Sequence, residues 1–193
     1  MTAVKKKELL DHLVKTQIVD AVMTMIKKNS SITMDGIART CGIAKGSLYN
    51  YFKNKEDLMG YVHQAILEPI RESKSMILDS RKDPLTRLYE FIDSVFHINE
   101  DLHFYFRFME QERSVAVEKK ERSDIVMQPL TRLCRQGIEK GQFIDVAPDI
   151  LAEAIYGMVI GPMKSLPLVS YKKQNLEKIR QDILRLIERI IIV

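Results

Sequence analysis

Cysteine is nearly missing from this sequence of 193 residues: Cys41 and Cys134 stand far apart, with no CxxC pair and no Cys/His ligand spacing. That excludes a zinc cluster, fits a reducing compartment and leaves both as small buried hydrophobes. Glycine (8) and proline (6) are scarce beside a 46% hydrophobic content, which excludes disordered, collagen-like and low-complexity chains. Long apolar runs are lacking too. In the apolar C-terminal third the longest uncharged stretch, Ala154 to Met163, has ten residues, against the roughly 20 of a membrane span. Met1 to Lys7 is basic, but Glu8 and Asp11 follow instead of an apolar run and a cleavage site. No secretory signal is expected, and the chain is read as cytoplasmic. Strand-type alternation is absent. Residues 61–193 carry no Gly-rich phosphate loop, HExxH, GxSxG or Cys/His/Asp nucleophile set, so an enzyme is disfavoured. His12, His63, His97 and His103 are scattered, and no metal is expected.

What is present is charge in one place and helical periodicity everywhere. Residues 1–60 hold ten Lys/Arg and six Asp/Glu, a net +4, whereas residues 61–193 hold twenty of each. The basic excess thus sits in a block the size of a small nucleic-acid-binding module, although a solvated face reads the same on charge alone. Leu9, Leu10, Leu13, Val14, Ile18, Val22, Met25 and Ile26 form one apolar stripe at steps of three and four, predicting a first helix from about Lys6 to Lys28 closed by a left-handed Asn29. Thr33 caps a short second helix ending near Cys41, Gly42 makes the turn, Lys45 to Phe52 is the third helix, and Asn54 caps a fourth from Lys55. Pro69 predicts a kink or break near Ala65. Further helices are expected at Leu85 to Ile98 behind an Asp83 cap, Asp101 to Arg113, Ser123 to Lys140, Asp149 to Met163 stopped by Gly161 and Pro162, and around Leu176 to Ile190. The fold class is all-α, about nine helices, with no internal repeat.

Two short helices about a Gly-containing turn, over Thr33 to Phe52, have the dimensions of a helix-turn-helix. With Thr33-Met34-Asp35-Gly36-Ile37-Ala38, Gly42 through Phe52 including Tyr49-Asn50-Tyr51-Phe52, and Asn54-Lys55-Glu56-Asp57-Leu58, the sequence resembles the TetR family of transcriptional regulators. The resemblance covers about residues 16–62. One departure is Asn29-Ser30-Ser31-Ile32, where a glycine and an aromatic are common in the family. It implies a helix-turn-helix DNA-binding domain at 1–54 and a helical ligand-binding and dimerisation domain at 55–193. It also implies that Thr33, Lys45, Gly46, Ser47, Tyr49, Asn50, Tyr51 and Lys55 face DNA. The residue types suit that role: Lys45 and Ser47 reach guanine acceptors or phosphate, Gly46 permits close backbone approach, and the tyrosines meet phosphate or a thymine methyl. Lys55 and Thr33 stand at helix starts suited to phosphate. Tyr51 reads equally as a packing residue, and Lys5, Lys6 and Lys7 either as a soluble terminus or as a basic arm. Ile37, Ala38, Ile43, Leu48 and Phe52 are expected as core.

For the larger domain the resemblance implies a ligand cavity and a dimer interface; no cofactor is expected. Phe91, Val95, Phe104, Tyr105, Phe108, Met109, Met127, Leu130 and Met158 fit an apolar cavity and equally fit ordinary core. Arg107, Arg113 and Arg135 suit an anionic head group; Glu90, Asp93, Glu110 and Glu112 suit a cation. The aromatic cluster favours an apolar or amphipathic small-molecule effector. The Asp149–Met163 and Leu176–Ile191 helices are expected to join two copies into a homodimer, with Gly157 and Gly161 allowing close approach; their stripes also fit closure of a monomer core. The resulting expectation is a ligand-responsive repressor on a palindromic operator. The alternatives are a small-molecule-binding protein or enzyme with a vestigial helix-turn-helix, and a non-specific architectural DNA protein.

Overall fold

A computed structural model describes residues 3–97, 100–112, 120–165 and 173–193. Among these it holds nine α-helices: α1 (Ala3–Lys27), α2 (Met34–Cys41), α3 (Lys45–Tyr51), α4 (Lys55–Leu78), α5 (Pro84–Phe96), α6 (Glu100–Glu112), α7 (Gln128–Glu139), α8 (Pro148–Ser165) and α9 (Lys173–Ile190). The all-α class is as the periodicity indicates. Ile98 and Arg113, expected at helix ends, lie outside the described residues. In place of one regular helix over Ser123 to Lys140, a π-helical turn at Ser123–Met127 leads into α7. Pro129 has no N–H for the carbonyl of Ile125, and the Gln128 amide reaches back to Ser123.

The chain packs as two compact units, one of Met1–Pro69 with Asp101–Phe108 and the other of Ile70–Glu100 with Met109–Val193. The first therefore reaches beyond residue 54. The opening turns of α4 bury Leu58 and Val62 within it, and buried His63 shares a 2.7 Å hydrogen bond from Nδ1 with the hydroxyl of Tyr105 on α6. Its core also takes Ile18, Val22, Met25, Ile37, Ala38, Leu48 and Phe52. Gly36 marks where α1 and α2 meet, since a Cβ there would stand 2.8 Å from Met25 Cε. The expected stripe on α1 is only half used: Leu9, Leu10 and Leu13 are about half exposed. The reason is length. Helices α2 and α3, of 8 and 7 residues, rise only about 12 and 10 Å at 1.5 Å per residue and cannot cover a helix of 25 residues.

In the second unit Leu88, Phe91, Ile92, Leu130, Leu133, Phe143, Leu151, Ile155, Ile183 and Ile187 form one core. Gly137 on α7 is required there, because a Cβ would meet the Phe143 ring at 2.2 Å. Gly141, at φ 66°, closes the helix and turns the chain into an isolated antiparallel bridge of Phe143 with Ile192, flanked by Ile144 N–H to Ile191 C=O at 2.9 Å and Val193 N–H to Gln142 C=O at 3.1 Å. Asp83 caps α5 through the Leu85 amide and also accepts from Gln142 and Lys140. Those bonds, Gln142 first, hold its carboxyl below the ordinary carboxylate range. Buried Arg87 ends α4 by donating to the Leu78 carbonyl at 2.8 Å and ties it to Gln136 of α7.

Of the kink or break expected near Ala65, the break does not occur: helix α4 is continuous through Pro69. Helix α8 is not stopped by Gly161 and Pro162 but runs on to Ser165, because Leu151, Ile155, Val159 and Met163 repeat every fourth residue and all bury. Keeping that stripe on the core outweighs one lost backbone hydrogen bond. Among the described residues no helix is long and apolar enough to cross a membrane.

Candidate nucleic-acid interface

Local chemistry builds the α2–α3 corner. The Thr33 hydroxyl accepts from the Gly36 amide at 3.0 Å, capping α2 as its sequence indicates. Gly42, at φ 70°, takes the left-handed turn, and Ile43 N–H closes it on the Ala38 carbonyl at 3.0 Å. Ala44 then starts α3 in extended backbone with no side-chain cap. On this helix Leu48 is fully buried, and Phe52 just beyond it is 4% exposed. Lys45, Gly46, Tyr49 and Asn50 are exposed, and at about 100° per residue they share one face spanning roughly 140°. A Cβ at Gly46 would meet nothing within 4 Å, leaving the backbone open on that face.

The other expected contacts fall around it. Thr33 is exposed at the start of α2, Ser47 is half-buried, and Lys55 is half-buried at the first position of α4. Asn54 caps that helix by accepting from the Asp57 amide at 2.8 Å, and the Asp57 carboxylate accepts from the Lys53 amide at 3.0 Å. Tyr51 is turned the other way, its hydroxyl donating to Asp11 Oδ1 of α1 at 3.1 Å. Desolvation, then Asp11, raises the phenol above its ordinary pKa. It is the packing alternative for Tyr51 that this geometry serves. Phe52 packs against Tyr61 at 5.4 Å between ring centres, the rings tilted by 44°, and Lys15 lies 5.3 Å over the Tyr61 ring.

Sequence reasoning missed Asp11 and Asp35. Asp35, in the first turn of α2, holds the Lys45 ammonium at 2.7 Å, both side chains 57% exposed. That hydrogen bond raises the Lys45 pKa. Pairings 10 and 40 residues apart leave no local signal, beyond an acidic residue placed where α2's dipole favours one.

The effector candidates divide between the units. Phe91, Val95 and Met127 are buried in the second core, and Met158 packs half-buried against it. Phe104, Tyr105, Arg107 and Phe108 belong to the first unit, with Tyr105 fully buried. Of the acidic candidates, Glu90 pairs with Lys82 at 2.5 Å and Asp93 with Arg180 at 2.7 Å. The side chains of Glu110 and Glu112 lie outside the described residues.

Comparison with known proteins gives this corner a family. Residues 19–62 match the model of bacterial regulatory proteins, tetR family. The HTH-type transcriptional repressor KstR2 of Mycobacterium tuberculosis (strain ATCC 25618 / H37Rv) is 27% identical over 135 residues, a match that spans 66% of this chain and 65% of that protein. Among solved structures, a TetR transcription regulator from Haloarcula marismortui ATCC 43049 superposes with a TM-score of 0.75 at 18% identity, covering 92% of this chain and 98% of that one. The ketosteroid transcriptional regulator KstR2 of Mycobacterium tuberculosis gives 0.68 at 21% identity, covering 93% and 95%. Residues 19–62, which include the exposed α3 face, thus carry a tetR-type motif, and the chain shares the fold of these solved regulators over nearly its whole length.

Proposed function

We propose that this protein is a DNA-binding transcriptional regulator, a repressor that grips a palindromic operator as a homodimer and responds to an apolar or amphipathic small molecule in the cytoplasm. The observation that carries the reading is the solvent face of α3: Lys45, Gly46, Tyr49 and Asn50 project together while Leu48 and Phe52 anchor the helix from behind. A helix so mounted enters a major groove with its first turn on the base edges. Thr33 and Lys55 flank it toward the phosphates, and the +4 excess lies in the same 60 residues.

The dimer reading rests on faces that the monomer leaves open. On the Asp149–Met163 helix Ile150 is 63% exposed, and Gly157 and Gly161 have nothing within 4 Å of an added Cβ. On Leu176–Ile191, Leu186 and Ile190 are about half exposed while Ile183 and Ile187 go to the core. Such small and apolar surfaces, self-paired about a two-fold axis, suit a four-helix interface. The two recognition helices then need a separation of about 34 to 36 Å to meet successive grooves, so a small rotation releases them. Helix α4 is the lever in this scheme. It belongs to the first unit up to Pro69 and to the second from Ile70. The name of the ketosteroid regulator among the solved relatives supports an effector of largely apolar body, as does the shared core of Phe91, Val95, Met127 and Met158. No catalytic role is assigned to any residue.

The test is selection of bound duplexes from a random DNA library by the purified chain, with its mass in solution. An enriched palindrome and a dimer mass support the reading. Failure to enrich any site, with and without added cell metabolites, overturns it, and equal recovery of all duplexes would make it an architectural protein.

A further inference from the structure

Lys74, on α4, is 6% exposed and belongs to the second unit. Its ammonium donates to Ser94 Oγ of α5 at 2.5 Å and lies 5.3 Å from the centre of the Phe91 ring. Ser94 spends its own proton on the Phe91 carbonyl at 2.6 Å, so a lone pair faces the lysine. A hydroxyl and an aromatic face are therefore the partners of Lys74 among the described residues, and neither is an anion. Other cations of this unit have partners: Lys82 has Glu90, Arg180 has Asp93, and buried Arg87 has the Leu78 carbonyl and Gln136.

An ammonium carries three donors, and Ser94 takes one. A buried charge left in this state is costly, and a purely structural position is better served by an apolar side chain of similar volume. Burial pulls the Lys74 pKa down to about 8, which still leaves it charged at neutral pH. One positive charge beside one hydroxyl matches a single negative charge; a dianion would leave a buried charge unanswered. Ile70 and Leu78, one turn to either side on α4, and Phe91 across from it are apolar and suit a hydrocarbon body. We propose that Lys74 is the anchor of the effector's head group, and that the effector is an amphipathic carboxylate. This deepens the effector reading above and rests on the second unit being the effector domain.

The experiment compares octanoate with octan-1-ol, equal in body and different in charge, by thermal unfolding of the full chain as wild type, Lys74→Met and Ser94→Ala. Octanoate is expected to raise the wild-type melting temperature with an affinity at least about tenfold above that of octan-1-ol, and to lose that advantage in Lys74→Met. In Ser94→Ala the ammonium remains, so the preference for octanoate persists. Lys74→Met without added probe should melt no lower than wild type. An octanoate shift that survives in Lys74→Met, an equal shift from the alcohol, no shift in wild type, or a lower-melting Lys74→Met would each overturn the proposal. None of these readings involves DNA. If the wild-type selection fails, the regulator reading falls while an octanoate site at Lys74 is still decided on its own result.

Discussion

Alanine at Gly137 and at Gly60 should act in opposite directions, although both glycines lie inside helices. Replacing a helical glycine by alanine gains about 1 kcal/mol of backbone propensity. At Gly60, exposed on α4 with nothing within 4 Å of the new Cβ, that gain stands alone. At Gly137 the same atom would fall 2.2, 2.3 and 2.8 Å from three atoms of the Phe143 ring, well inside van der Waals contact. The ring is 2% exposed and forms part of the core, so it must move by more than 1 Å into occupied space. Overpacking of that kind costs typically 1–3 kcal/mol, and this contact belongs at the upper end. The net is a loss of about 2 kcal/mol at Gly137 against a gain of about 1 at Gly60. In a chain of this size each kcal/mol moves the melting temperature by roughly 2–4 °C. Thermal unfolding followed by circular dichroism should place Gly137→Ala about 4–8 °C below wild type and Gly60→Ala about 2–4 °C above. Phe143→Leu combined with Gly137→Ala should recover part of the loss, since the smaller side chain vacates the clash. A Gly137→Ala protein as stable as wild type would refute the packing argument.

Other consequences are equally open to measurement. Tyr49→Ala and Lys55→Ala should weaken operator binding with unchanged melting temperature, and Lys55→Ala should lower the slope of log affinity against log salt by about one; fluorescence anisotropy across a salt series decides both. The Lys74 pKa is about 8 folded against 10.5 in the open chain, which penalises the fold by about 3 kcal/mol at neutral pH. Because the folded value is the lower one, the penalty is complete below pH 8 and fades as pH rises toward 10.5. Urea titrations of wild type and Lys74→Met should therefore differ most, by about 2 kcal/mol after the lost Ser94 bond, at pH 7 and converge near pH 10. Leu186→Glu with Ile190→Glu should halve the mass measured by light scattering, whereas Leu9→Glu should leave it unchanged.

The parts of the fold that were legible in the sequence are those encoded within four or five residues. Thr33, Asn54 and Asp83 as caps, Gly42 and Asn29 as left-handed residues and Pro84 in the first turn of α5 all occur where the sequence indicates. Their hydrogen bonds close locally, so no tertiary information is needed. Long-range competition was not legible. A proline rule stops a helix at Pro162, but the burial of Met163 carries it on. Periodicity places Leu9, Leu10 and Leu13 on one stripe with Ile18 and Val22, yet cannot say that α2 and α3 are too short to reach them. On the candidate interface the exposed residues of α3 follow from spacing, because Leu48 fixes which face turns inward. The pairing of Tyr51 with Asp11 does not, nor does the burial of Lys74, for a lone lysine in a helical pattern reads as a solvated one.

The ion pair between Lys45 and Asp35 bears on how such a protein would find its site. A lysine held by its own carboxylate is already answered, so a phosphate passing at arbitrary register gains little by replacing Asp35, and loose contacts along DNA are short-lived. On the proposed reading, a site that also offered Tyr49 and Asn50 their partners would make the exchange favourable. If α3 meets DNA as proposed, the carboxylate would compete with phosphate for Lys45, by the modest amount of an exposed ion pair. Asp35→Asn would remove that competitor, tightening attachment to random sequence and lengthening the search.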